Sequence, residues 1–148
     1  MKKSKRVKKQ KIVTTLAFRH WLYKHKIPLI LQIIGFFLKL YFSFDIPASI
    51  KIERNLRLAH GAMGAVIHRR TVIGDYTKIY QNLTIGSRNG IGPPKIGEHV
   101  VIGAGACILG DITIGDYAQI GANAVVIHDV PAHCTAVGIP ARIIEKQN

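Results

Sequence analysis

The chain is poor in cysteine, in acid and in long apolar runs. Its two cysteines, Cys107 and Cys134, form no Cys-x-x-Cys and belong to no metal-like cluster, which excludes a disulfide scaffold and points to ordinary thiols in a reducing compartment. The most apolar stretch runs from Leu29 to Phe44 and is interrupted by Gln32, Lys39 and Ser43. It falls short of the roughly 20 residues a spanning helix needs. No small-residue cleavage site follows it, so a removable signal is not expected. Acidic residues number eight against 21 Lys and Arg, and none of the eight precedes Asp45.

The charge is therefore uneven. The whole chain carries +13, but residues 1–44 hold all of the imbalance beyond near-neutrality, with seven basic side chains in MKKSKRVKKQK alone. From residue 45 onward bases and acids nearly cancel. A basic coat over the main body is excluded, and with it nucleic acid as an expected partner. Behind the basic start, TLAFRHWLYKHKIP and LILQIIGFFLKLYFSF read as two helical pieces separated at Pro28. One reading packs this segment on the body of the protein or on a neighbouring subunit. The other lays it on an anionic membrane surface, with Trp21, Phe36, Phe37 and Tyr41 at the interface. The expected location is cytoplasmic, with the inner membrane face as the place of any peripheral attachment.

What is present from Asp45 onward is a period of six. Ile96, Ile102, Ile108, Ile114, Ile120 and Val126 keep it strictly, and Gly97, Gly103, Gly115 and Gly121 follow four of them. Earlier anchors are Ile46, Ile52 and Leu58, then Ile67, Ile73, Ile79 and Ile85. Neither a helix nor a plain strand asks for an apolar residue at every sixth place; a parallel β-helix does. Each hexapeptide makes one side of a triangular coil, points an aliphatic side chain inward and turns the corner at glycine. Two breaks interrupt the period, around AHGAMGA and around SRNGIGPP. Insertions cannot enter a packed wall, so these two must bulge as loops, where binding and chemistry collect. The end, DVPAHCTAVGIPARII, loses the period and is expected to leave the solenoid.

These motifs, FDIPASIKI, LRLAHGAMGAVIH, VIGDYTKIYQNLTIG, PKIGEHVVIGAGACILGDITIGDYAQIGANAVV and DVPAHCTAVGIPARII, together resemble the hexapeptide-repeat acyltransferase superfamily and, within it, the serine acetyltransferase-like branch. The resemblance covers residues 45–144. It implies a mainly β protein, a left-handed parallel β-helix over 45–148 behind an N-terminal helical segment over 1–44, a homotrimer with active sites between subunits, and acetyl-CoA as the acetyl donor. No metal is implied.

Acetyl transfer from a thioester to a hydroxyl needs a base, an oxyanion donor and a groove for the pantetheine arm. His60, in the first inserted loop, stands where the family carries its catalytic histidine. Asp45, fifteen residues earlier, matches the family's Asp partner, which would fix the imidazole tautomer and support the imidazolium. Resemblance assigns Gly86 to the thioester, Ala104, Gly105 and Ala122 to the pantetheine, and Arg142 to the phosphates. Arg88 in the second loop is a candidate for contact with an anionic acceptor or with the cofactor. The chain departs from the serine-specific pattern at Ala59, where that branch has an acid, and at Gly92-Pro93-Pro94-Lys95, where it has Arg-His. An uncharged hydroxyl, on a sugar or a surface polysaccharide precursor, is therefore the first expectation for the acceptor and serine the second. His128 and His133 lack a third ligand at matching spacing, which argues against zinc. A catalytically silent trimeric scaffold is the alternative from a different class.

Overall fold

The computed structural model describes residues 14–43, 45–50 and 55–144. Ile52, one of the expected anchors, lies outside them. Residues 14–24 form helix α1, and α2 spans Pro28–Phe42. Pro28 occupies the first turn of α2, where its missing N–H costs nothing. The helix ends at Ser43, whose left-handed backbone returns its N–H to the Lys39 carbonyl.

Thirteen short strands follow among the described residues. In chain order they are β1 (Arg57–Leu58), β2 (Val66–Ile67), β3 (Val72–Ile73), β4 (Lys78–Ile79), β5 (Thr84–Gly86), β6 (Lys95–Ile96), β7 (Val101–Ile102), β8 (Cys107–Leu109), β9 (Thr113–Ile114), β10 (Gln119–Ile120), β11 (Val125–Val126), β12 (Thr135–Gly138) and β13 (Ala141–Ile144). Each strand up to β9 pairs in parallel with the strand three places later in the chain, except that β9 itself is met by an isolated bridge from Val130. That pattern is a triangular solenoid. Face 1 stacks β1, β4, β7, β10 and β12; face 2 stacks β2, β5, β8 and β11; face 3 stacks β3, β6 and β9. Asp45 starts face 2 through a bridge to Val66.

Register explains the loops. Ile108 lies beside Val126, eighteen residues on, whereas Leu58 lies beside Ile79 and Ile85 beside Ile108, steps of 21 and 23. The extra residues leave the wall as the segments 59–65 and 87–94, at two different corners.

All the expected anchors among the described residues are buried, from Ile46 to Val126. The core holds a second inward row that the period of six does not announce. Ala65, Thr71, Thr77, Leu83, Val100, Ala106, Ile112, Ala118 and Ala124 each stand two places before an anchor and are buried as well. Two inward side chains per hexapeptide, one large and one mostly small, fill the triangle. Leu16 of α1 and Leu38 of α2 join the same core, so the helices close the first coil.

The terminal segment corrects one expectation. It does not leave the solenoid at once: Val130 continues face 3 and β12 continues face 1, before β13 folds back antiparallel on β12. The step from Ile120 to Ala136 is only sixteen residues because the corner between Val126 on face 2 and Val130 on face 3, Ile127-His128-Asp129, is shortened. There Asp129 accepts the Thr113 N–H at 2.8 Å.

The corner between faces 3 and 1 carries a ladder of rings. Tyr76, His99, Tyr117 and His133, each at a positive φ, stack with centroids 4.7, 4.7 and 5.0 Å apart and planes within 5°.

Candidate active site

The corner between faces 1 and 2 is built from 59–65 in the first coil, Tyr80-Gln81-Asn82 in the second, Gly103-Ala104-Gly105 in the third and Gly121-Ala122-Asn123 in the fourth. Backbone hydrogen bonds tie these rungs together, from Asn82 to Met63, from Gly105 to Gln81 and from Asn123 to Ala104, at 2.8 to 3.0 Å. Adjacent rungs are separated by about 5 Å. His60 therefore sits at one end of an edge whose upper part carries Ala104, Gly105 and Ala122.

Ala59–Ala62 form a 3₁₀ turn with His60 at φ 50° and Gly61 at φ 70°. The turn buries Ala59, Gly61 and Ala62 and sends the imidazole alone into solvent. Ala59, the residue before the histidine, is only 3 % exposed and carries no charge. The His60 ring faces Tyr80 at a centroid distance of 6.2 Å. Tyr80 in turn accepts a hydrogen bond from Lys78 Nζ at 2.6 Å. Sequence reasoning missed Tyr80, although a signal existed: it follows anchor Ile79 where the next two coils of the same face place Gly103 and Gly121.

Asp45 reaches the loop by its backbone, its N–H donating to the Ala65 carbonyl at 2.8 Å. Its carboxylate does not hydrogen-bond His60 within the chain. It is held instead by Lys39 of α2 at 3.1 Å. Arg19 of α1 contributes a second nearby positive charge. Burial lowers the Arg19 pKa from its ordinary value, and the Asp45 charge opposes that shift.

The small residues divide on inspection. Gly105 has φ +70°, and a Cβ there would run into the Asn123 side-chain oxygen, so the fold alone requires glycine. Gly86 differs. A Cβ on it would meet only Leu109 Cδ2 at 3.6 Å, an ordinary contact, and its φ needs no glycine. Its bare backbone answers no demand of the chain's own packing and fits a ligand lying close.

Gly86 and Arg88 belong to the corner between faces 2 and 3, where Arg88 and Ile91 close the exposed turn of 87–94. Arg142 stands on β13 opposite Val137 and is exposed on the last coil. One chain thus brings His60, Ala104, Gly105 and Ala122 onto one edge, and Gly86 with Arg88 onto the next, with face 2 between. His128 and His133 fall on separate corners, His133 within the ring ladder.

Comparison with known proteins places these features. The family described as "Bacterial transferase hexapeptide (six repeats)" matches residues 93–128. A serine acetyltransferase of Synechococcus elongatus is 40 % identical over 128 residues, 84 % of this chain and 52 % of that protein. The crystal structure of Neisseria gonorrhoeae serine acetyltransferase in complex with serine superimposes with a TM-score of 0.81 at 34 % identity, covering 90 % of this chain and 55 % of the other. The Brucella abortus serine acetyltransferase in complex with coenzyme A gives a TM-score of 0.84 at 33 % identity, with 92 % and 55 % covered. The chain spans about half the length of these relatives. The triangular coil is the left-handed parallel β-helix of those structures. With its inward anchors every six residues, its two looped interruptions and these relatives, the chain belongs to the hexapeptide-repeat acyltransferase superfamily.

Proposed function

We propose that this chain is an acetyl-CoA-dependent O-acetyltransferase with His60 as its general base. The observation that carries the reading is the placement of an exposed imidazole, on an inserted loop, at the end of an edge lined by small residues. His60 removes the proton of the acceptor hydroxyl as its oxygen attacks the thioester carbonyl. The C–S bond then breaks, the acetyl group stays on the acceptor oxygen, and the CoA sulfur leaves with the proton that His60 returns. Asp45 orients His60 and supports the imidazolium once Lys39 releases it. Backbone N–H groups of the corner supply the oxyanion contact. Gly86 gives the thioester room, Ala104, Gly105 and Ala122 line the pantetheine, and Arg142 meets the phosphates.

The active unit in this proposal is a homotrimer. Its support is that the two looped corners flank one face, so a site using both His60 and Arg88 needs two chains side by side.

Serine is the acceptor that the relatives support; the expectation of a sugar or polysaccharide hydroxyl receives no support from them. One observation keeps the second reading in view. Ala59 is buried and uncharged, so the position directly before His60 supplies no counter-charge for an amine.

The test is release of free CoA thiol by wild type and His60→Ala, with L-serine and a panel of sugars as acceptors. His60→Ala should lose about 10²–10⁴-fold. Undiminished turnover by that variant would sink the mechanism, and turnover with sugars but not serine would reverse the acceptor.

A further inference from the structure

Helix α2 is apolar on both sides. Leu38 is buried and Ile34 packs on the same core. The opposite side carries Leu29, Ile33, Phe36 and Leu40 at the spacing of one helical stripe, flanked by Ile30, Phe37 and Tyr41. Leu29, Phe36, Leu40 and Tyr41 are 68, 64, 62 and 71 % exposed. The rings on this side form a continuous group, Phe36 against Phe37 and Phe37 against Tyr41. On α1, Trp21 stacks between Phe18 and His25, also exposed. An outward stripe this apolar marks a contact surface.

Charge decides what covers it. Residues 1–44 contain eleven Lys or Arg and no acid. Among them Lys24 and Lys26 are exposed beside the turn between the two helices. A second copy of the chain would bring two such cationic segments face to face with no acid between them. Nucleic acid would satisfy the charge and leave the stripe in water. An anionic bilayer satisfies both.

We propose that α1 and α2 dock the protein on an anionic lipid surface, with α2 lying flat in the headgroup layer. Its 15 residues span about 22 Å. No helix among the described residues is long and apolar enough to cross a membrane. The contact is therefore interfacial: aromatic and aliphatic side chains enter the acyl boundary while lysines meet lipid phosphates. The helices close the first coil, so the docked surface is an end of the solenoid, and the side faces stay clear of lipid.

The test is co-sedimentation of the full chain with vesicles of phosphatidylcholine alone or mixed with phosphatidylglycerol. Binding to the anionic vesicles at about 0.1 M salt should weaken at least tenfold at about 0.5 M, where screening shortens the reach of charge. Lys24→Glu/Lys26→Glu should weaken it to a similar extent. Phe36→Ser/Leu40→Ser should abolish it while leaving the circular dichroism spectrum unchanged. Trp21, the single tryptophan, should be quenched by brominated acyl chains. Absence of wild-type binding to anionic vesicles overturns the proposal without touching the acetyltransferase reading. So does a halving of solution mass by Phe36→Ser/Leu40→Ser with vesicle binding intact, which would assign the stripe to a second copy.

Discussion

Lys39 Nζ lies 3.1 Å from Asp45 Oδ2, so the helical cap holds the carboxylate assigned to orient His60. Both side chains are more than half exposed, 61 and 51 %, and an ion pair in that setting contributes at most about 1 kcal/mol. Lys39→Ala should therefore shift urea-unfolding stability by less than about 1 kcal/mol and leave turnover intact. Asp45→Asn should lower turnover by about 10²-fold or more at similar stability. An equal loss of turnover in both variants would show that the ion pair itself is needed.

Gly86 and Gly103 differ in what an added Cβ would meet. A Cβ at Gly103 would approach the Ala122 nitrogen to 2.6 Å, against backbone that cannot yield. Gly103→Ala should cost about 1–3 kcal/mol in denaturant unfolding. Gly86→Ala should leave stability within about 0.5 kcal/mol and raise the KM for acetyl-CoA. Unchanged kinetics in Gly86→Ala would remove that residue from the thioester site.

The ring ladder makes a measurable contribution. Tyr117 stacks on His99 below and His133 above, and each such pair is worth about 0.5–1.5 kcal/mol. Tyr117→Ala should destabilise the fold by about 1–3 kcal/mol, while turnover of the remaining folded protein stays unchanged, because the ladder lies on the corner away from both loops. A stability change near zero would show that the stack is geometry without energy.

Complementation tests the site between chains. His60→Ala and Arg88→Ala should each be inactive alone. Mixed trimers assembled from equal amounts should regain about one quarter of wild-type activity if each site takes the two residues from different chains. No recovery would place both in one chain or remove Arg88 from the site.

The large inward row was legible because Ile and Val recur at a fixed interval, and the loops were legible as breaks in it. The second row was not. Ala65, Thr77 and Ala118 are small residues that carry no hydrophobic signal, and only the taper of a triangular coil makes them inward. The final coil was missed for a related reason: Asp129 caps a corner with its side chain, which shortens the step and hides Ala136 as an anchor. His60 was singled out through its loop and its resemblance. Tyr80 could have been found by aligning corners rather than anchors. The Lys39 contact with Asp45 joins two segments that no repeat relates, so periodicity could not reveal it.

The four stacked rings have one further consequence. They are separated in the chain by 23, 18 and 16 residues, yet their centroids keep a rise of 4.7 to 5.0 Å. Every gain or loss of chain length is taken up at another corner, so this edge acts as the ruler of the molecule. Loops of other lengths can be grafted at 87–94 while the ruler keeps each coil in step with the next.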